Sequence, residues 1–249
     1  MHVAGFVFSP RLWPTLAYIP LLVLLLSLGN WQLERAQEKR EALAARAEAF
    51  RAPVVDLTET AASLQSHEYR RAVARGDYDT AHQFYLDNQI EGDRVGYRVL
   101  TPLRLAGSER AVLVDRGFTP IVGDRETLPA PPPVESGGEV TGQIGRGPSV
   151  GLRLGAPSDN PGEWPRRVQY MDMDYMADAL GYPLADFLLR ERSLSTDTTA
   201  RAGIRAPWRF GPERHDGYAF QWFSLAAALT VIWLAVNTRR VANKEDSEE

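Results

Sequence analysis

The residues best suited to chemistry are clustered rather than scattered. In the run Arg214-His215-Asp216-Gly217-Tyr218-Ala219-Phe220-Gln221-Trp222-Phe223, a helix would place His215, Tyr218 and Trp222 at i, i+3 and i+7, on one face. A neutral imidazole can bind haem iron, and flat aromatic rings can cover the macrocycle. Arg214, beside it, can pair with a propionate through a bidentate fork. The same residue types also belong at a membrane interface for amphipathic reasons alone. A second group, Trp31 and Arg35 at i and i+4, lies at the end of another apolar stretch. Gly29 there would let a neighbouring helix approach closely. Two helices of a hairpin could therefore bracket one site.

Other constellations give less. Gly145-Arg146-Gly147 with Gly151 lacks the spacing of a nucleotide fingerprint and reads as a loop. Asp172, Asp174 and Asp178 suggest a helix start, with Asp174 as its cap, more than a hard-metal site. His67 and His82 lie singly in polar stretches and read as surface histidines. No G-x-S-x-G, H-E-x-x-H or Walker loop occurs, and the expectation is a protein that is not an enzyme. The 249 residues include no cysteine. That excludes disulfides, thiolate zinc, iron–sulfur clusters, covalent c-type haem, a Cys nucleophile and copper carriage on paired thiolates. A net charge of -4 without a basic stripe gives no sign of nucleic-acid binding.

The elements that position these residues begin with two apolar segments. Residues 12–28 carry no charge, and ten of those 17 are Leu, Ile or Val. The uncharged stretch continues to Leu33, long enough to cross about 30 Å of hydrocarbon. A cleaved signal peptide fits poorly, because only Arg11 precedes the segment and Gly29-Asn30-Trp31-Gln32-Leu33, not an A-x-A-like site, comes directly after it. Pro20 is expected to bend this helix. Residues 218–236 are 19 more without charge, with Trp222 and Trp233 towards opposite ends, as interfacial aromatics sit. The mean hydropathy of -0.28 is then an average over two spans in the lipid and a polar domain. Arg239, Arg240 and Lys244 follow the second span and place both termini in the cytoplasm by the positive-inside rule.

Residues 34–50 are rich in Ala, Glu and Arg without Gly or Pro, so the first helix should continue beyond the membrane. A short helix is expected over 57–64. Strands are predicted over 70–78, 83–88, 97–105, 111–118, 139–146 and 186–194. Gly92-Asp93 and Ala106-Gly107-Ser108 supply turns between them, 130–133 is an extended polyproline stretch, and another break falls at Asp159-Asn160-Pro161-Gly162. A short helix should end near Leu180 with Gly181 as its stop, and 195–207 reads as a loop back to the membrane. The expected fold is two transmembrane α-helices flanking one external α+β domain, mainly antiparallel β-sheet or a small barrel. The layout is a cytoplasmic N-terminus at 1–11, the first span at 12–33, a juxtamembrane helix at 34–56, a periplasmic β-rich domain at 57–214, the second span at 215–236 and a cytoplasmic tail at 237–249.

Several segments resemble one known family. Gly29-Asn30-Trp31-Gln32-Leu33-Glu34-Arg35 with Lys39 is similar to the L-G-x-W-Q-L-x-R-x-x-x-K signature of the Surfeit locus protein 1 family of cytochrome c oxidase assembly proteins. The stretch 71–78 with Gly76, the stretch 96–103 (Gly96 to Leu103) and the stretch 112–120 resemble its R-x-V-x-x-G-x-Y, G-Y-x-V-x-T-P-L and V-L-V-N-R-G-W-V-P segments. His215 with Tyr218, Ala219, Trp222 and Phe223 matches its H-x-x-Y-A-x-x-W-F entry to the second span. Asp115 and Phe118 stand where the family usually has Asn and Trp. Arg116 and Gly117 also read as a charged edge and a turn after a strand. The resemblance implies a bacterial inner-membrane chaperone that binds haem a as transient cargo, with His215 as the iron ligand, and assists its insertion into oxidase subunit I. Haem a synthase is the candidate donor. Arg214, Tyr218, Trp222, Trp31 and Arg35 would surround the cofactor on the geometric grounds above. The alternative is a membrane-anchored scaffold that holds oxidase assembly intermediates without ligating haem.

Overall fold

Uncharged residues followed by good helix formers produce one unbroken 40-residue helix, and runs bounded by turns produce strands. The computed structural model describes residues 2–3, 6–59, 62–121, 123, 127–134, 138–148, 155–158, 162–191 and 210–240. In chain order the elements begin with β1 (His2–Val3), β2 (Phe6–Phe8), α1 (Leu12–Arg51), β3 (Val55–Asp56), α2 (Leu64–His67), β4 (Arg71–Tyr78) and β5 (Phe84–Glu91). Then come β6 (Arg94–Leu105), β7 (Ala111–Pro120), β8 (Glu139–Gly145), β9 (Arg166–Val168), α3 (Met173–Leu180), β10 (Leu184–Glu191), α4 (Pro212–Asn237) and β11 (Thr238–Arg240). They form two compact units, residues 1–44 with 206–249, and residues 45–205.

In the first unit, α1 and α4 are each long and apolar enough to cross a membrane. Leu16, Ile19, Val23 and Leu24 of α1, and Leu225, Val231 and Ile232 of α4, remain exposed. A helix in the core of a soluble protein would bury such residues, and a lipid-facing helix does not. What these helices bury is narrow. In α1 it is Leu25, Gly29, Gln32 and Ala36, and in α4 it is Pro212, Ala219, Ala226 and Asn237. The 4-3-4 steps on α1 and the seven-residue steps from Pro212 to Ala226 describe a coiled-coil-like seam of mostly small residues. At the far end of the seam, Trp233 stacks on Tyr18 with centroids 4.6 Å apart and donates its indole N–H to Thr15 Oγ1 at 3.2 Å. Asn237 Oδ1 accepts from the Arg11 backbone N–H at 2.7 Å. The helix α1 runs through Pro20 without interruption. The strands β1, β2 and β11 add a small antiparallel sheet.

The second unit is built around a closed barrel of five strands, in the order β4-β8-β10-β7-β6, with the β4–β6 pairing closing the ring. The β10–β7 pair is parallel and the other barrel pairs are antiparallel. Two edge extensions, β3 on β4 and β9 beyond β5, are also parallel. The runs Ala111-Val112-Leu113-Val114 and Phe187-Leu188-Leu189 are continuously apolar because both faces are covered. Val112, Val114, Phe187 and Leu189 join the barrel-interior cluster. Leu113 and Leu188 face outward onto Phe84, Leu86 and Met176 beneath α3.

Several expectations are corrected. Residues 57–59, the described start of the helix expected over 57–64, form a turn instead. β3 precedes them, pairing with Ala72 and Val73, and the helix starts only at Leu64. The cap of α3 is Asp172, whose Oδ1 accepts from the Tyr175 N–H at 3.1 Å, and Asp174 lies in the first turn. Gly181 does terminate α3, at φ 76°. The last predicted strand begins at Leu184 and is described to Glu191, while 192–194 and the loop 195–207 fall outside the described residues. So do Gly151, Lys244 and most of the 159–162 break.

Candidate functional site

The site grows from the seam. Gly29 is there because nothing larger fits. A Cβ at that position would lie 2.6 Å from the Phe223 ring of α4. One turn further along, Gln32 and His215 face each other across the same closely packed pair of helices. Gln32 is buried, and its Oε1 lies 2.7 Å from His215 Nδ1. In the neutral tautomer that matches this carbonyl acceptor, Nδ1 carries the proton and Nε2 keeps its lone pair. Nε2 makes no hydrogen bond among the described residues. An imidazole held in one tautomer by a fixed acceptor, with the opposite nitrogen available, is the usual arrangement of a metal-binding histidine.

Polar ties fix the register around this pair. Lys39 Nζ donates to the Phe210 carbonyl at 2.7 Å, and Arg40 forms an ion pair with Asp216. Pro212 occupies the first turn of α4, where its missing N–H costs nothing. His215 is thus held near the start of a helix whose entry is pinned on both sides.

The predicted surroundings distribute as follows. Arg214 lies with its guanidinium 3.9 Å from the Phe210 ring centroid. Arg35 pairs with Glu38 at 2.5 Å, not with His215. Trp31, beside Gln32, is 53% exposed and Tyr218 is 41% exposed. Trp222 is half-buried at the spacing of the seam. Among the described residues no aromatic ring stacks on His215. The residue missed by the sequence reading is Gln32. Its signal was the 4-3-4 spacing with Leu25, Gly29 and Ala36, which puts a polar amide on the buried face.

A family model, that of the SURF1 family, matches residues 20–227, a span that takes in both sides of the seam and the barrel. The chain belongs to the SURF1 family. It is similar to the Surfeit locus protein 1 of Takifugu rubripes, 26% identical over 239 residues, covering 86% of this chain and 92% of the relative. It is likewise similar to the SURF1-like protein of the bacterium Rickettsia bellii, 26% identical over 222 residues and 85% of each chain. The Surfeit locus protein 1 of Rattus norvegicus is 26% identical over 233 residues, 86% of this chain and 72% of the relative. The family match spans Gly29, Gln32 and His215 together.

The structure also explains three motif positions in the barrel. Asp115 is buried and accepts from Arg98 Nε at 2.8 and 3.0 Å. It also accepts from the Gly117 N–H at 3.1 Å. Gly117, at φ 104°, sits inside β7 and not in a turn after it. The register with β6 shifts there, so this is a β-bulge that uses glycine for its backbone conformation. Arg116 is correspondingly turned inward, with only 6% of its side chain exposed, so it is not a charged edge. His82 is not solitary either. Its Nδ1 lies 2.8 Å from Asp79, which also accepts from the Tyr182 hydroxyl at 2.8 Å.

Proposed function

We propose that this chain is an assembly factor for cytochrome c oxidase that takes up haem a on His215 at the outer edge of the membrane and assists its insertion into subunit I. One observation carries the reading: the Gln32–His215 hydrogen bond, which leaves Nε2 as a neutral donor atom aimed by a buried partner. Haem iron accepts such a nitrogen as an axial ligand. A single imidazole, in place of a closed pair of ligands, suits cargo that must be released. Arg214 and Arg35 are the cations nearest in sequence to His215 and Gln32, and either can meet a propionate. The exposed rings of Trp31 and Tyr218 and the half-buried Trp222 offer flat apolar cover.

In this reading α1 crosses the membrane over 12–33 and α4 over 215–236. Both termini lie in the cytoplasm and the barrel in the periplasm of a bacterial inner membrane. Haem a synthase is the donor and subunit I the recipient. The test is the haem content of subunit I isolated from cells whose only copy of this chain is the His215→Ala variant. The reading expects subunit I largely without haem a while the variant still co-purifies with it. Normal haem content in that subunit I would instead favour a scaffold.

A further inference from the structure

The end of the helical hairpin remote from His215 carries a site that the haem reading does not use. Three polar ties hold α1 against α4 there. The Tyr18 hydroxyl lies 3.1 Å from Thr230 Oγ1, the Trp233 indole N–H donates to Thr15 Oγ1, and the Arg11 backbone N–H donates to Asn237 Oδ1. The Tyr18 and Trp233 rings stack with only 12° between their planes. Beside them runs a groove of about 160 Å³, lined by Pro14, Tyr18 and Leu21 of α1 and by Leu229, Trp233 and Val236 of α4.

The hydroxyl and indole groups of this wall already have partners on the opposite helix, so nothing in the groove calls for a polar ligand. From Pro14 to Leu21 it extends about 10 Å along the helix axis. One leaflet of hydrocarbon is about 15 Å deep. The groove therefore matches the part of an acyl chain nearest its headgroup.

The mouth of the groove is basic. Arg11 opens α1, its carbonyl accepting from the Thr15 N–H at 3.1 Å, so Arg11, Pro14 and Tyr18 stand at i, i+3 and i+7 on one face. Arg239 lies two residues beyond Asn237, the residue tied to Arg11, and pairs in β11 with Val7. Both arginines are exposed, and neither forms an ion pair among the described residues. No Asp or Glu occurs from Met1 to Leu33 or from Gly217 to Lys244. Trp13, two positions from Arg11 and 80% exposed, suits the depth of the headgroups.

An apolar channel for a chain, with two guanidinium groups at its mouth, is complementary to both halves of an anionic phospholipid. We infer that the hairpin binds one anionic phospholipid in the leaflet at its Arg11 end, the phosphate on Arg11 and Arg239 and one acyl chain in the groove. A choline lipid offers the same chain but sets a second cation against the arginines, which weakens it. The inference needs only that both helices lie in a bilayer and is independent of haem.

The test is native mass spectrometry of the full chain in detergent micelles, titrated with dioleoyl phosphatidylglycerol or dioleoyl phosphatidylcholine. The glycerol lipid should bind with one-to-one stoichiometry, at least tenfold tighter than the choline lipid. An arginine near anionic headgroups typically contributes about fivefold in affinity, so Arg11→Gln should lose about that much for the glycerol lipid, whereas Arg11→Lys should retain most of it. The backbone tie to Asn237 survives in both variants, because it uses the main-chain N–H. Ala17, which also lines the groove, tests the chain: Ala17→Leu should weaken both lipids. Equal affinity for the two lipids, or unaltered affinity for the glycerol lipid in Arg11→Gln or in Ala17→Leu, would overturn the proposal. So would displacement of the lipid by equimolar glycerol phosphate, because the groove would then contribute nothing.

Discussion

His215 and Gln32 are 183 positions apart in the chain, yet the acceptor on one decides the tautomer of the other. Replacing Gln32 with Leu keeps the volume and removes the acceptor. Outer-shell partners of metal-binding histidines typically contribute about 10–100-fold in metal affinity, and a loss of that order in haem a affinity is expected for Gln32→Leu. Gln32→Glu, which still accepts, should retain most of it, so a spectroscopic haem titration of the pair separates orientation from packing. Elsewhere, Asp79 illustrates a structural carboxylate. Burial acts to raise its pKa, but the hydrogen bonds from His82 and Tyr182 outweigh it, and the group titrates below its ordinary value. A carboxyl depressed on folding stabilises the folded state above the unfolded pKa of about 3.9, and that contribution is lost as pH falls through the folded value. Asp79→Asn should therefore lower the thermal midpoint at pH 7, with the gap to wild type closing below about pH 4. An equal gap at both pH values would show that the carboxylate charge contributes nothing.

At the scale of elements, the seam is the feature on which the site depends. Gly29→Leu places side-chain atoms where the Phe223 ring lies. Overpacking of this kind costs about 1–3 kcal/mol, and the Gln32–His215 bond one turn away should lengthen or break. Haem content and thermal midpoint are expected to fall together in Gly29→Leu, and less in Gly29→Ala. Unchanged haem content in Gly29→Leu would show that the helix approach is not required. The strands β5, β6 and β7 were legible because Gly92-Asp93 and Ala106-Gly107-Ser108 announce their turns. β3 and β9 were not, since two or three residues become strands only by pairing with β4 and β5 from elsewhere in the chain. Ring closure was equally hidden, resting on Gly76 meeting Leu105. Likewise His215 could be picked out by residue type, whereas Gln32 reads as an ordinary polar residue until the opposite helix is in place.

The whole molecule combines a helical hairpin with lipid-compatible faces and a five-strand barrel whose core is complete in itself. Composition alone separated the two, because an uncharged run of 17 residues has few uses outside a bilayer. With 12–33 and 215–236 as spans, a periplasm-active alkaline phosphatase fused after Glu249 should be silent and the same reporter inserted in the barrel's exposed Gly107 turn should be active. The opposite pattern would invert the topology and move His215 to the cytoplasmic edge.

The central claim is that His215 Nε2 holds haem a. The direct measurement is haem a per polypeptide, by pyridine haemochrome extraction, after purification from cells co-expressing haem a synthase. Wild type should approach one haem a per chain with an optical spectrum of histidine-ligated haem, and His215→Ala should be nearly devoid of it while remaining folded and membrane-inserted. Wild type without haem a, or His215→Ala carrying as much as wild type with the same spectrum, would contradict the account.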